Sequence, residues 1–200
     1  MTFSKMVYSW RTFLFLALLV LALAALEPAS GNWLRFDREA IAAGEVWRLL
    51  TAHWVHLSWP HALGNLGGLL LLAYICGEQL NRAYMLQYLL FSMLFVGGGL
   101  YWLAPDLLYY VGLSGVLHGL ILVGIFRSPF YSRRIAWLFL LIIAGKVIWE
   151  QTPWYDDNAL QGVIGGRVET RAHLLGTLSA VLWLIASQVW QYLWRRRYDG

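Results

Sequence analysis

The sequence predicts an all-α membrane protein, and three observations carry that expectation. Of its 200 residues, 60% are hydrophobic and only 13% are charged, whereas soluble chains carry about 25% charge. Mean hydropathy is +0.56. Six apolar runs approach the roughly 20 residues needed to cross a bilayer core. The same composition excludes disorder, a disulfide scaffold and a nucleic-acid binder. The single Cys76 can form no intrachain disulfide.

The runs fall at about 10–26, 61–80, 84–104, 113–127, 134–150 and 172–193. The first has a basic start and an Ala22-x-Ala24 pattern that a cleaved signal peptide shares. Five further spans follow it, so retention as the first span is expected. The connection from Glu27 to Pro60 is amphipathic and holds Trp33, Trp47, Trp54 and Trp59, which suits an interfacial segment. Alternating the loops puts nine cations on one side: Lys5, Arg11, Arg82, Arg127, Arg133, Arg134, Arg195, Arg196 and Arg197. The other side carries Arg35, Arg38, Arg48, Arg167 and Arg171 together with most of the acids. The positive-inside rule then places both termini in the cytoplasm. In a bacterial setting the far side would be periplasm.

The fourth run is short. A helix from Ser114 to Arg127 rises only about 21 Å, roughly 9 Å less than the hydrocarbon core. Ser114 is therefore expected below the outer surface, at a helix start, reached by irregular chain from Leu107 to Leu113. Irregular backbone at that depth must be buried by protein or line a wet cavity. Gly112 and Gly115 flank the serine, permitting a sharp turn and leaving helix-start amides free for an oxyanion. The competing reading is a serine N-cap with small residues for packing.

A nucleophilic serine needs a base within reach. His173 enters the membrane at the outer start of the sixth run, on the same side as Ser114, and Gly176 would let that helix press on the fourth. No intramembrane Asp is evident, so a Ser-His dyad is the simpler expectation. His61 and Asn65 share a helix face at spacing i, i+4 and can donate to an oxyanion; interhelical hydrogen bonding is the alternative for Asn65. His118 lies one turn below Ser114, where it could hydrogen-bond in the bundle or stack on His173. His53, His56 and His61 have metal-like spacing but lack an H-E-x-x-H pattern, so neither a metal nor a cofactor is expected. Lys146 could snorkel or pair with Glu150, one turn away.

Together Gly112-x-Ser114-Gly115, Ala172-His173-x-x-Gly176, His61-x-x-x-Asn65 and Trp47-Arg48 within residues 44–52 resemble the rhomboid intramembrane serine proteases. Within that family the sequence looks most like rhombosortase, from its size, the run Val111–Gly119 and the segment Thr51–His56. The resemblance implies a six-transmembrane-helix rhomboid bundle with an interfacial loop between helices 1 and 2. It forms one domain over 1–200, with its core at about 44–193. It implies Ser114 as nucleophile, His173 as base, and His61 with Asn65 and the Ser114 amide as oxyanion hole. Gly112, Gly115, His118, Gly176 and Arg48 would support them, Arg48 by holding the first loop. His118 stands where many rhomboids place a tyrosine stacked on the histidine. Ala180 stands where they often repeat glycine. The implied substrate is a membrane-anchored protein with a C-terminal Gly-Gly motif, a hydrophobic helix and a basic tail. It would be cut in the bacterial inner membrane at a site open to the periplasm. The rival reading is a non-catalytic rhomboid-like binder or a small transporter, although no internal repeat supports the latter.

Overall fold

The computed structural model describes residues 3–76 and 82–198. The helices are α1 (Phe3–Ala25), α2 (Ala29–Leu34), α3 (Arg38–Ala42), α4 (Arg48–Thr51), α5 (Trp59–Cys76), α6 (Arg82–Leu103), α7 (Ser114–Arg127), α8 (Arg133–Glu150), α9 (Asn158–Ile164) and α10 (Thr170–Tyr198). Strands β1 (Phe36–Asp37) and β2 (Tyr109–Tyr110) pair antiparallel. The apolar runs therefore become α1, α5, α6, α7, α8 and α10; the end of the second, 77–80, lies outside the described residues. Three of these helices, α5, α6 and α10, are long and apolar enough to cross a membrane. The protein is an all-α integral membrane protein, and among the described residues the one departure is the short β1–β2 ribbon.

Local signals set the helix boundaries. Pro60 sits in the first turn of α5, where a missing N–H leaves no bond unmade. Ser132 caps α8 by accepting from the Ile135 amide, and Asp37 caps α3 by accepting from Ala40. Gly165 closes α9 with φ +85°, a left-handed conformation suited to glycine.

The centre of the bundle is α7, which packs against α5, α6, α8 and, most extensively, α10. Bilayer lipid is as apolar as leucine, so close backbone contact and interhelical hydrogen bonds supply the cohesion. The seam with α10 uses both. A Cβ on Gly176 would fall onto the Gly115 carbonyl, and one on Gly119 onto the Gly176 carbonyl and the Tyr88 hydroxyl. The Tyr88 and Ser92 hydroxyls of α6 meet Ser179 at 3.0 and 2.9 Å, and Ser179 donates to the Gly176 carbonyl. Ala180 is fully buried.

The connection from Glu27 to Pro60 forms a folded cap. Trp33, Trp47 and Trp59 are exposed, while Trp54 is half-buried against the core. Arg48 is buried, bonds Glu45 at 2.6 Å and donates to the Asn32 and Arg35 carbonyls. Arg38 donates to the Leu100, Tyr101, Ala104 and Leu107 carbonyls, satisfying acceptors that the end of α6 leaves open. Past α6, β2 pairs with β1, and the Gly112 amide donates to Ala52 at 3.0 Å. The approach to Ser114 is thus partly a strand rather than wholly irregular. Its backbone is satisfied by the first loop, as a low-dielectric setting requires.

Candidate active site

Helix α7 begins at Ser114 and spans 14 residues, the short helix its sequence suggests. Leu113 occupies the cap position and no side chain caps the helix. The cap role considered for Ser114 is therefore not what the structure shows, because its hydroxyl points across to α10. Ser114 Oγ lies 2.9 Å from His173 Nε2. The glycine contacts of the α7–α10 seam hold the two backbones close enough for that bond. His173 stands in the first turn of α10 and is 6% exposed.

The other nitrogen of His173 has a partner that sequence reasoning missed. His173 Nδ1 lies 2.9 Å from Glu150 Oε2 at the end of α8. A glutamate carboxylate thus stands behind the Ser-His pair, where no aspartate was evident in the sequence. Lys146 donates to Glu150 Oε1 at 2.6 Å, so the i, i+4 pair read from the sequence does form. Lys146 also lies 2.9 Å from His118 Nε2, while His118 Nδ1 lies 2.7 Å from the Ser114 carbonyl. The His118 and His173 rings stack, with centroids 4.2 Å apart and planes 22° apart.

On the opposite wall, Gly112 adopts φ +120° and faces the His61 ring. A Cβ there would come within 2.9 Å of His61 Nε2 and 3.9 Å of Asn65 Nδ2. Glycine is therefore required twice at this position, by conformation and by space. His61 Nδ1 accepts from the Leu57 amide at 3.4 Å, which leaves Nε2 to carry the proton toward Gly112. Asn65 donates one N–H to the His61 carbonyl, and its amide carries a second N–H.

Ser114, His173, His61, Asn65, Lys146 and Glu150 all border one cavity of about 1390 Å³ at the end of the bundle where α5, α7 and α10 begin. Arg48 does not border it; its work is in the first loop. Arg171 bonds Asp106 at 2.6 Å and Glu169 at 2.7 Å, pinning the start of α10 to the loop after α6. The Arg171 guanidinium holds the Asp106 carboxyl below its ordinary value. His53 is wholly buried, with Nε2 near the Met93 carbonyl, and burial pushes its pKa down to about 4. His56 and His61 meet edge to face at 5.0 Å.

Among the described residues, His118, Glu150 and His173 bring ligand-type atoms within 4.8 Å of one another. Lys146 Nζ is hydrogen-bonded to two of the three, His118 and Glu150.

The Rhomboid domain family model matches residues 43–188. No curated protein matches the chain. The matched stretch runs from the first loop into α10 and includes Ser114, His173, His61, Asn65, Lys146 and Glu150, so the chain belongs to the rhomboid family, a family of intramembrane serine proteases.

Proposed function

We propose that this protein is an intramembrane serine endopeptidase with Ser114 as nucleophile and His173 as its base. The observation that carries the reading is the 2.9 Å Ser114–His173 hydrogen bond at the floor of a cavity within an apolar bundle. His173 accepts the hydroxyl proton as Ser114 attacks a substrate carbonyl, giving a tetrahedral oxyanion. The His61 Nε2–H, the second Asn65 N–H and the Ser114 amide supply donors for that charge. Collapse returns the proton from His173 to the leaving amine and leaves an acyl ester on Ser114, which water then cleaves.

The substrate is a transmembrane segment that enters sideways between α5 and α8, which make no extensive contact among the described residues. A Gly-Gly sequence suits the site, because glycine weakens the helix that must open to expose the scissile carbonyl. This favours the rhombosortase type, acting on exported proteins with a hydrophobic helix and basic tail. Six spans in one domain, cytoplasmic termini and a cavity open to the periplasm of a bacterial inner membrane complete the proposal. The cation distribution supports the orientation.

The test is cleavage of a Gly-Gly-tailed membrane substrate by the reconstituted protein beside Ser114→Ala and His173→Ala. Each variant is expected to lose cleavage by roughly 10⁶-fold while melting as the native protein does. Cleavage retained by folded Ser114→Ala would overturn the assignment.

A further inference from the structure

We infer that Glu150 is a positioning residue that fixes the proton-bearing nitrogen of His173, and that Lys146 fixes which carboxylate oxygen does so. The inference rests on the protease reading and adds to it a third and a fourth member carried by α8.

The hydrogen-bond directions follow from acceptors that cannot donate. The Ser114 carbonyl accepts, so His118 Nδ1 carries a proton. A neutral His118 then presents an unprotonated Nε2, which accepts from the Lys146 ammonium. Lys146 also donates to Glu150 Oε1, and that contact leaves Oε2 for His173. A carboxylate can only accept, so His173 carries its proton on Nδ1, and Nε2 is left to accept from the Ser114 hydroxyl. The bonds form a ring that leaves Ser114 by its side chain and returns to its carbonyl. Each member is held to one proton arrangement, and it is the arrangement nucleophilic attack needs. When the Ser114 proton moves to Nε2, the imidazolium faces a carboxylate 2.9 Å away that is 6% exposed. No proton need leave Nδ1.

The ring makes an uncommon prediction about glutamine. In Glu150→Gln the amide must turn its oxygen to the Lys146 ammonium, because its NH₂ group cannot face another donor. The NH₂ then points at His173 Nδ1 and forces the proton onto Nε2, where it blocks acceptance from Ser114. Removing Lys146 as well lets the amide flip and present its oxygen to His173. A residue that merely filled space would not behave this way.

The experiment is the rate of labelling by a serine-reactive fluorophosphonate on the full chain in detergent, for native, E150Q, K146M, E150Q/K146M and S114A proteins. E150Q is expected to label roughly 10²–10⁴-fold more slowly. The double variant should recover at least about tenfold over E150Q. E150Q labelling as fast as native overturns the role of Glu150. Slow E150Q with no recovery in the double variant overturns the role of Lys146. Should E150Q not fold, E150A with added formate replaces it. Restored labelling supports the carboxylate's role, and no restoration in folded E150A overturns it. An unlabelled native protein, or S114A labelled like native, instead sinks the protease reading itself.

Discussion

Helices α7 and α8 are neighbours in the bundle, yet they are held in opposite ways. In α7, eight of 14 residues are buried, and its Gly115 and Gly119 meet the backbone of α10 directly. In α8, three of 18 residues are buried, namely Ala136, Val147 and Glu150. Trp137, Leu138, Leu141 and Ile142 are left exposed. One helix is fixed by shape along its length. The other rests a narrower face on the core through Ala136, Phe139, Leu140 and Ile143, and makes its polar contacts in the last turns through Lys146 and Glu150. The difference teaches where stability and chemistry reside. The seam of α7 with α10 sets the distance between Ser114 and His173, and α8 reaches that pair only through its last turn.

The sharpest way to break this comparison is Gly176→Val. Its side chain would collide with the Gly115 carbonyl, an atom of the helix backbone that cannot rotate aside. Overpacking of this kind costs 1–3 kcal/mol and occasionally more, and here the upper end is expected. The variant should lose a large part of its thermal stability in detergent, and probe labelling of Ser114 with it. A native-like melt would mean that the α7–α10 spacing is not set by these glycines.

A smaller effect is expected at the outer end of α10. Asp106→Asn removes the ion pair with Arg171, but Asp106 is solvent-exposed, so the melting temperature should fall only slightly at pH 7. The sign follows from the depressed Asp106 pKa, whose first cause is the hydrogen bond from Arg171. The stabilisation is present above the ordinary carboxylate value and fades as pH falls through the lower folded value. Native and variant melts should therefore converge at acid pH. A gap that persists there would assign the effect to packing rather than charge.

The least change is expected from Gly145→Ala on α8. Nothing lies within 4 Å of the added methyl, and alanine is the better helix former by about 0.5–1 kcal/mol. A slight rise in melting temperature, with labelling unchanged, would sharpen the contrast with Gly176. A loss of stability would mean that α8 is packed more tightly than its exposure indicates.

Much of this protein was legible in the chain itself. Hydropathy fixed the apolar helices, because each satisfies its own backbone within one segment and so reads locally. The length of α7 placed Ser114 at a helix start, and the spacing of small residues foretold the contact with α10. The i, i+4 rule paired Lys146 with Glu150. What no local pattern could give was the rotation of α8 about its axis and its register against α10. Glu150 meets His173 across 23 residues of sequence, and neither hydropathy nor spacing refers one to the other. A carboxylate in the last turn of an apolar helix was the available signal, and the search for an aspartate passed over it. Arg38 on the end of α6 and the β1–β2 ribbon escaped for the same reason. Periodicity along the chain determines what each segment is, whereas side chains from separate segments meet only after packing has set the distances and angles between helices.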